Sequence, residues 1–250
     1  MPALRDDDYF EMLAVETSDG PLLVPCEIRR SPRLRRIRLS LGARNQAILQ
    51  VPPRGSVREA LGFLRTQGDW LQKQLQKTPP PVALTAHLAR HPRLSGHGRE
   101  FAVSLSFTLA RPFFVYSEAG GAAEFRYPAG EGGEGALRRL LLEFAGKVLP
   151  PRTLELARSR GLGVRRISVR DQGTRWGSCS ARGTVSLNWR LVLLPAALHD
   201  YVLLHELAHL TEMNHSAAFW DLLRSYDPRT DAHDRELTRV SRELMRLGRG

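Results

Sequence analysis

His205-Glu206-Leu207-Ala208-His209 spells H-E-x-x-H, two imidazoles one helical turn apart with a carboxylate beside them. At ~100° per residue, His209 lies about 40° round from His205 and Glu206 about 100° round, so all three project into one sector. Two ring nitrogens are thus able to reach one ion. Zinc suits neutral imidazole at ~2.0–2.1 Å, and its catalytic sites take three protein ligands and keep one position for water. The candidate third ligand is His215. A continuous helix would carry it about 15 Å up the axis from His205, so the chain must turn between Leu210 and Asn214. Asn214 tolerates the left-handed conformation that ends helices, and Ser216 suits the cap of a following helix bearing Phe219, Trp220, Leu222 and Leu223. Glu212, Asp221 and His233 are rival donors.

With a Zn²⁺ cofactor held there, water acidified by the ion would attack a carbonyl, and Glu206 would act as general base and then return the proton to the leaving nitrogen. Arg175, Asn188 or Tyr201 would supply an oxyanion partner if the fold brings one near. A bland reading treats H-E-x-x-H as surface decoration. Against it, Leu198, Val202, Leu203, Leu204, Leu207, Ala208 and Leu210 make the helix apolar nearly all round, which marks a buried helix. Buried imidazoles and a carboxylate without partners cost several kcal/mol, which a cation offsets.

The elements that must position these groups follow from periodicity. Leu194 and Pro195 open the histidine helix, with His199 and Asp200 in its first turn. Upstream, Val164 to Arg170 and Thr184 to Leu191 read as strands joined through Trp176 to Gly183. Leu137, Leu140, Leu141, Phe144 and Val148 make one helical stripe, which Pro150 and Pro151 interrupt before a second helix stopping at Gly161. Phe101 to Leu109 and Phe113 to Tyr116 read as strands, and His87, His91 and His97 as loop residues. Nearer the start, Ile37, Leu39 and Leu41 alternate with Arg36, Arg38 and Ser40, the period of a strand with one buried face. Ala47 to Val51 is a second short strand, and Ser56 caps a helix ending before Thr78.

The fold class expected is α+β: a β-rich N-terminal part with one helix, then a zincin-like catalytic part with a small sheet, backing helices and an active-site helix. Residues 1–20 read as a tail and 21–134 as the β-rich region, with its helix near 56–77 and a proline-rich linker near 78–82. The metallohydrolase domain is expected over 135–250, because glycines between Gly120 and Gly135 loosen the chain there.

The length of 250 residues and 42% hydrophobic content suit a globular protein of one or two domains. No apolar run is long enough to span a membrane, the first residues are acidic rather than signal-like, and Cys26 and Cys179 are too few for a disulfide framework. The expected address is cytoplasmic. Thirty-seven Lys and Arg against 26 Asp and Glu give a net charge of +11, and Arg29 to Arg44 contains seven arginines and no acid. That run is either a solvated strand face or a platform for nucleic acid or nucleotide, which steep salt dependence would reveal.

Around the histidines the sequence resembles the YgjP-like family of zinc metallopeptidases, related to SprT-like and WLM proteases and to minigluzincins. The resemblance is carried by Arg175-Trp176-Gly177-Ser178-Cys179-Ser180, Leu187-Asn188-Trp189-Arg190, Tyr201 through Leu210, and Asn214-His215-Ser216 followed by Phe219-Trp220, and it spans roughly residues 25 to 240. It implies a zinc site of three histidines, Glu206 as catalytic acid and base, and the 184–191 strand near the cleft, where an edge strand would bind peptide by main-chain pairing. The ligand spacing equals that of metzincins, but Glu212 stands in place of their glycine and no Met-turn is identifiable. Arg175, Trp176, Asn188 and Tyr201 are the candidate substrate-binding residues, with packing favoured for Trp176 and for Cys179. The expected partner is a peptide or protein; the alternatives are hydrolysis of a nucleotide phosphoanhydride, as in a nucleoside triphosphate pyrophosphatase, and a nucleic-acid-associated protease. Oligomeric state is not legible.

Overall fold

The computed structural model describes residues 9–42, 45–77, 82–130 and 132–249. Among them the chain forms two compact units, which part at the proline run; the second is Val82–Gly248. The expected linker at 78–82 falls almost wholly outside the described residues, as does Arg44.

The first unit is a four-stranded sheet with two helices. Strands β1 (Tyr9–Thr17), β2 (Gly20–Arg30), β3 (Arg38–Leu41) and β4 (Ala47–Val51) are ordered β1-β2-β4-β3, with β2 and β4 parallel and the other pairs antiparallel. Residues 9–20 are therefore paired chain and not a tail: β1 forms a hairpin with β2 in full register. Val15, Val24, Cys26, Ile28, Leu49 and Val51 bury one face of this sheet. The alternation around Arg38 holds, with Ile37, Leu39 and Leu41 against the core and Arg36 and Arg38 exposed.

The single expected helix at 56–77 is two, α1 (Val57–Arg65) and α2 (Gly68–Gln76). Ser56 caps the first, accepting from the Glu59 amide. The break has a steric cause: Gly68 passes so close to β1 that a Cβ on it would lie 1.8 Å from the Glu16 carbonyl oxygen. Only glycine allows that approach.

The second unit opens with α3 (Leu84–Arg90), a four-stranded sheet ordered β5-β6-β8-β7, and the long helix α4 (Gly133–Arg158). The strands are β5 (Arg93–Gly96), β6 (Arg99–Phe107), β7 (Phe113–Ser117) and β8 (Ala122–Tyr127). The boundary expected at 134/135 is corrected here. Phe144 of α4 packs edge-on to Phe101, Phe125, Phe114 and Tyr116 of the sheet at 5.5–5.9 Å between ring centres. A sheet with one aromatic face and a helix with one apolar stripe bury each other, so the glycine-rich stretch is a connection inside one core.

Pro150 and Pro151 do not interrupt α4. They remove amide donors for the carbonyls of Gly146 and Lys147, but both those residues are exposed, so water can serve the carbonyls. Val148, Leu149, Leu156 and Ala157 on either side are buried and hold the helix on the core. Also contrary to expectation, His87 lies on α3 and is buried.

The remainder of the unit contains β9 (Arg166–Arg170), β10 (Gly177–Cys179) and β11 (Thr184–Asn188), ordered β10-β11-β9. Helices α5 (Ala196–Ala208), α6 (Ala217–Tyr226) and α7 (Thr230–Leu244) follow. Two expectations change. The strand from Thr184 stops at Asn188, whose side chain caps a 3-10 turn at Trp189–Leu193 by accepting from the Arg190 amide. And β11 is the middle strand, so the sheet's edges are β10 and β9.

Candidate metal centre

Helix α5 is buried on nearly all sides, with Leu198, Val202, Leu203, Leu207 and Ala208 in the core. It ends as His209 becomes its C-cap, and the Thr211 and Glu212 amides both close back on the Ala208 carbonyl. The turn thus forms without the left-handed asparagine expected; Asn214 is not among the residues with positive φ. Ser216 starts α6 as anticipated, accepting from the Phe219 amide at 3.4 Å.

This bend brings His215 onto the α5 pair. His205, His209 and His215 each offer a ligand atom, all within 4.8 Å of one another. The Nε2 atoms of His205 and His215 are 3.0 Å apart. Two nitrogens ~2.0–2.1 Å from one tetrahedral ion stand roughly 3.3 Å apart, so the cluster is close to ligation geometry. His209 Nδ1 meets the Glu212 carbonyl at 3.0 Å, an arrangement that fixes Nδ1–H and leaves Nε2 for a ligand role. Phe219 stacks on His209 at 4.6 Å and meets His205 and His215 edge-on at 5.0 and 4.7 Å, which locks all three rings.

Burial depresses the pKa of His205 to about 4, with its two histidine neighbours acting in the same direction. Burial likewise lowers that of His209. Both rings are therefore neutral at physiological pH, the form that binds metal. Glu206 is 6% exposed, and its Oε2 is buried without a hydrogen-bond partner. Burial pushes its pKa up to about 8, against the opposing charge of Arg175. Neutral imidazoles that converge beside an unpartnered carboxylate fit a divalent cation.

Of the rival donors, Asp221 pairs with Arg224 and His233 Nδ1 is 2.6 Å from Asp227, while Glu212 meets His209 through its backbone carbonyl; none of the three joins the cluster of converging ligand atoms. Cys179 packs against the core, and burial, then the charge of Glu206, raises its thiol to about 11.

The four candidate substrate residues separate. Arg175 is exposed, and its charge is felt by Glu206. Trp176 is buried, its Nε1 donating to Ser241 of α7 at 2.7 Å. Asn188 is wholly buried, with Nδ2 donating to the carbonyls of Gln172 and Arg175 at 3.0 and 2.9 Å. Tyr201 is 1% exposed and donates to Asp234 at 3.1 Å, its ring lying edge-on to His205. Asn188 and Tyr201 are thus buried and hydrogen-bonded within the protein. His199 and Asp200 stay out of the cluster: Asp200 pairs with Arg152 rather than with the helix end, and His199 is fully buried.

Composition gave no hint of two contributors. Gly177 of β10 lies against the Glu206 side chain, so that an added Cβ would fall 2.6 Å from Oε1. Arg190 is completely buried, bonded to Asp171 at 2.5 Å and to the Leu247 carbonyl, and it braces the segment before Trp176. Arg190 stands in the segment Leu187-Asn188-Trp189-Arg190, but no periodicity announces that its side chain is fully buried.

Residues 35–240 match the model of the YgjP-like metallopeptidase domain. No curated protein matches the chain. The crystal structure of the metallopeptidase zymogen abylysin of Pyrococcus abyssi is similar at 26% identity, covering 36% of this chain and 93% of that one, with a TM-score of 0.33.

Proposed function

Because the chain belongs to the YgjP-like metallopeptidase family, we propose that it hydrolyses peptide bonds with a zinc ion held by His205, His209 and His215 and with Glu206 as general base and acid. The observation that carries this reading is the Glu206 carboxylate, buried with an orphaned Oε2 beside three converging imidazoles. When bound, zinc supplies Lewis acidity that polarises a carbonyl and acidifies water.

The chain's own groups do the rest. Positive charge in the site, from Arg175 and a ligated cation, opposes the burial of Glu206 and favours its carboxylate. Oε2 then takes a proton from the attacking water and later yields it to the departing amine nitrogen. Phe219 and Trp220 pack against the imidazoles and hold their rings in place.

Strand β10 is the peptide-binding edge. The Asn188 amide bonds to Trp176 O and the Ser180 amide to Thr184 O, so residues 176, 178 and 180 spend their main-chain groups on β11. By alternation, the amides and carbonyls of Gly177 and Cys179 point to the open edge, where an extended substrate can add as a strand.

Glu206→Gln tests the assignment. It is expected to keep the metal and to lower kcat on an unfolded protein such as casein by roughly 10²–10⁴-fold. Undiminished turnover, or hydrolysis of nucleoside triphosphates in place of peptide, overturns it.

A second activity is proposed for the first unit. Arg33, Arg35, Arg36 and Arg38 are exposed and have no acidic partner among the described residues, which supports binding of a polyanion such as nucleic acid. Affinity for a short duplex should fall with salt at a log–log slope of about −3 to −4 if those four meet phosphates. A flat salt response excludes it.

A further inference from the structure

The sheet that carries β10 bears charge almost wholly of one sign. Between Gly163 and Asn188 stand five arginines, Arg165, Arg166, Arg170, Arg175 and Arg182, and one acid, Asp171. Asp171 is already bonded to Arg138 and Arg190. All five arginines are exposed, and none has an ion-pair partner among the described residues. An uncompensated field of one sign beside a cleft draws ligands of the other.

Strand register places these charges. Arg182 lies in the turn that joins β10 to β11, and Arg165 is beside it, its amide donating to the Gly183 carbonyl at 2.9 Å. Arg166 stands opposite Thr184 at the same end of the sheet. At the other end Arg170 stands opposite Asn188, and Arg175 precedes Trp176, whose carbonyl accepts from the Asn188 amide. The outer edge of β10 therefore runs between Arg175 and Arg182, with only uncharged residues separating them. Gly177 lies against the Glu206 side chain and so marks where cleavage falls along that edge. It is two positions from Arg175 and five from Arg182, so an extended peptide passes an arginine on either side of the bond to be cut. The charge of Arg175 reaches Glu206 itself, which puts this arginine close to the reacting bond.

We propose that the enzyme selects acidic peptides, with Arg175 binding a substrate Asp or Glu close to the scissile bond and Arg182, backed by Arg165, binding one on the other side. This rests on peptide hydrolysis at the His205, His209 and His215 centre and adds the substrate class. A guanidinium fork matches a carboxylate with two parallel hydrogen bonds, whereas main-chain pairing along β10 contributes affinity to any sequence. Two such pairs at an exposed edge favour Glu over Gln by roughly 5- to 10-fold.

The test uses the zinc-loaded full chain and short fluorogenic peptides that are alike except for Glu, Gln or Lys on both sides of one central bond. The order of kcat/KM should be Glu, then Gln, then Lys, and the excess of Glu over Gln should shrink in about 0.5 M NaCl, where exposed charges are screened. In Arg165→Glu/Arg182→Glu the Glu-to-Gln ratio should fall below that of the wild type by roughly 5-fold or more, a comparison within one protein that does not depend on its active fraction. Equal rates for the Glu and Gln peptides, or a ratio unchanged in the double variant, overturns the proposal. So does an unchanged ratio accompanied by loss of single-stranded DNA binding, which would assign the arginines to nucleic acid. Should the double variant misfold, the wild-type ratio and its salt dependence decide. Cleavage of casein and of all three peptides at one rate sinks the acidic preference alone, whereas no cleavage of any of them sinks the peptidase reading with it.

Discussion

Gly177 of β10 and Glu206 of α5 are in contact so close that a methyl group on the glycine would sit 2.6 Å from the carboxylate Oε1 and 2.7 Å from Cδ and Cγ. The glycine has no positive φ, so the backbone itself would accept alanine. Glu206, confined on a buried helix, cannot swing clear without losing its place. Gly177→Ala is therefore expected to shift the carboxylate by about 1 Å and to lower kcat roughly 10²-fold. Metal content should be unchanged, since no ligand is disturbed. Full activity in the alanine variant would mean that the position of this carboxylate is not critical.

Why Gly177 was not legible while Glu206 was illustrates what a linear pattern carries. His205, Glu206 and His209 lie on one helix, and helical geometry converts their spacing into a shared sector. His215 follows because a turn is the only way to bring it back, although the turn closes on Ala208 and needs no left-handed Asn214. Gly177 meets Glu206 through a sheet-to-helix contact 29 positions away, and no local rule anticipates it. The same applies to the fold. The alternating strand at Ile37 to Leu41 was legible from its period, whereas the helix break at Gly68 depends on a carbonyl of β1. For a related reason the proline pair does not end α4: burial of Val148, Leu149 and Leu156 outweighs two missing helical hydrogen bonds, and local propensity carries no information on what a helix packs against.

Asn188 joins three parts of the site. Its Nδ2 serves the carbonyls of Gln172 and Arg175, and its Oδ1 accepts from the Arg190 amide. Asn188→Ala leaves these groups short of a fully buried partner, a loss of roughly 2–4 kcal/mol. The melting temperature should drop by about 5–12 °C. Since Arg175 is displaced as well, KM is expected to rise along with the loss of stability. A variant that melts like the wild type would show that the 172–176 segment is held by Arg190 and Trp176 alone.

His199 sets a pH limit on the fold. It is entirely buried; its Nδ1 lies 3.2 Å from the Leu191 carbonyl and its Nε2 has no partner. Burial lowers its pKa to about 4, only partly offset by Asp200. In the unfolded chain the ring titrates near ~6.5, so between these values the unfolded state binds more protons and stability rises with pH. The contribution is whole above about pH 6.5 and is lost as pH drops towards about 4, amounting to roughly 2–3 kcal/mol by pH 4.5. Urea unfolding at several pH values, compared between the wild type and His199→Gln, isolates it. The variant should lose less stability on acidification, and parallel curves would assign the acid sensitivity to other groups.

Cys179 offers a way to separate main-chain recognition from side-chain packing. Its thiol, held protonated by burial and by Glu206, is chemically quiet, and Cys179→Ala should leave kcat and KM within about 2-fold of wild type. Its amide points to the open edge of β10, because Ser178 and Ser180 use theirs on β11. Cys179→Pro deletes that donor without touching the β10–β11 ladder, since proline is tolerated at an edge strand's outward amide. One lost hydrogen bond to substrate, worth about 1–1.5 kcal/mol, predicts a kcat/KM lower by roughly 5- to 10-fold, expressed in KM for peptide substrates. Equal KM values for the alanine and proline variants would show that substrate does not add to this edge.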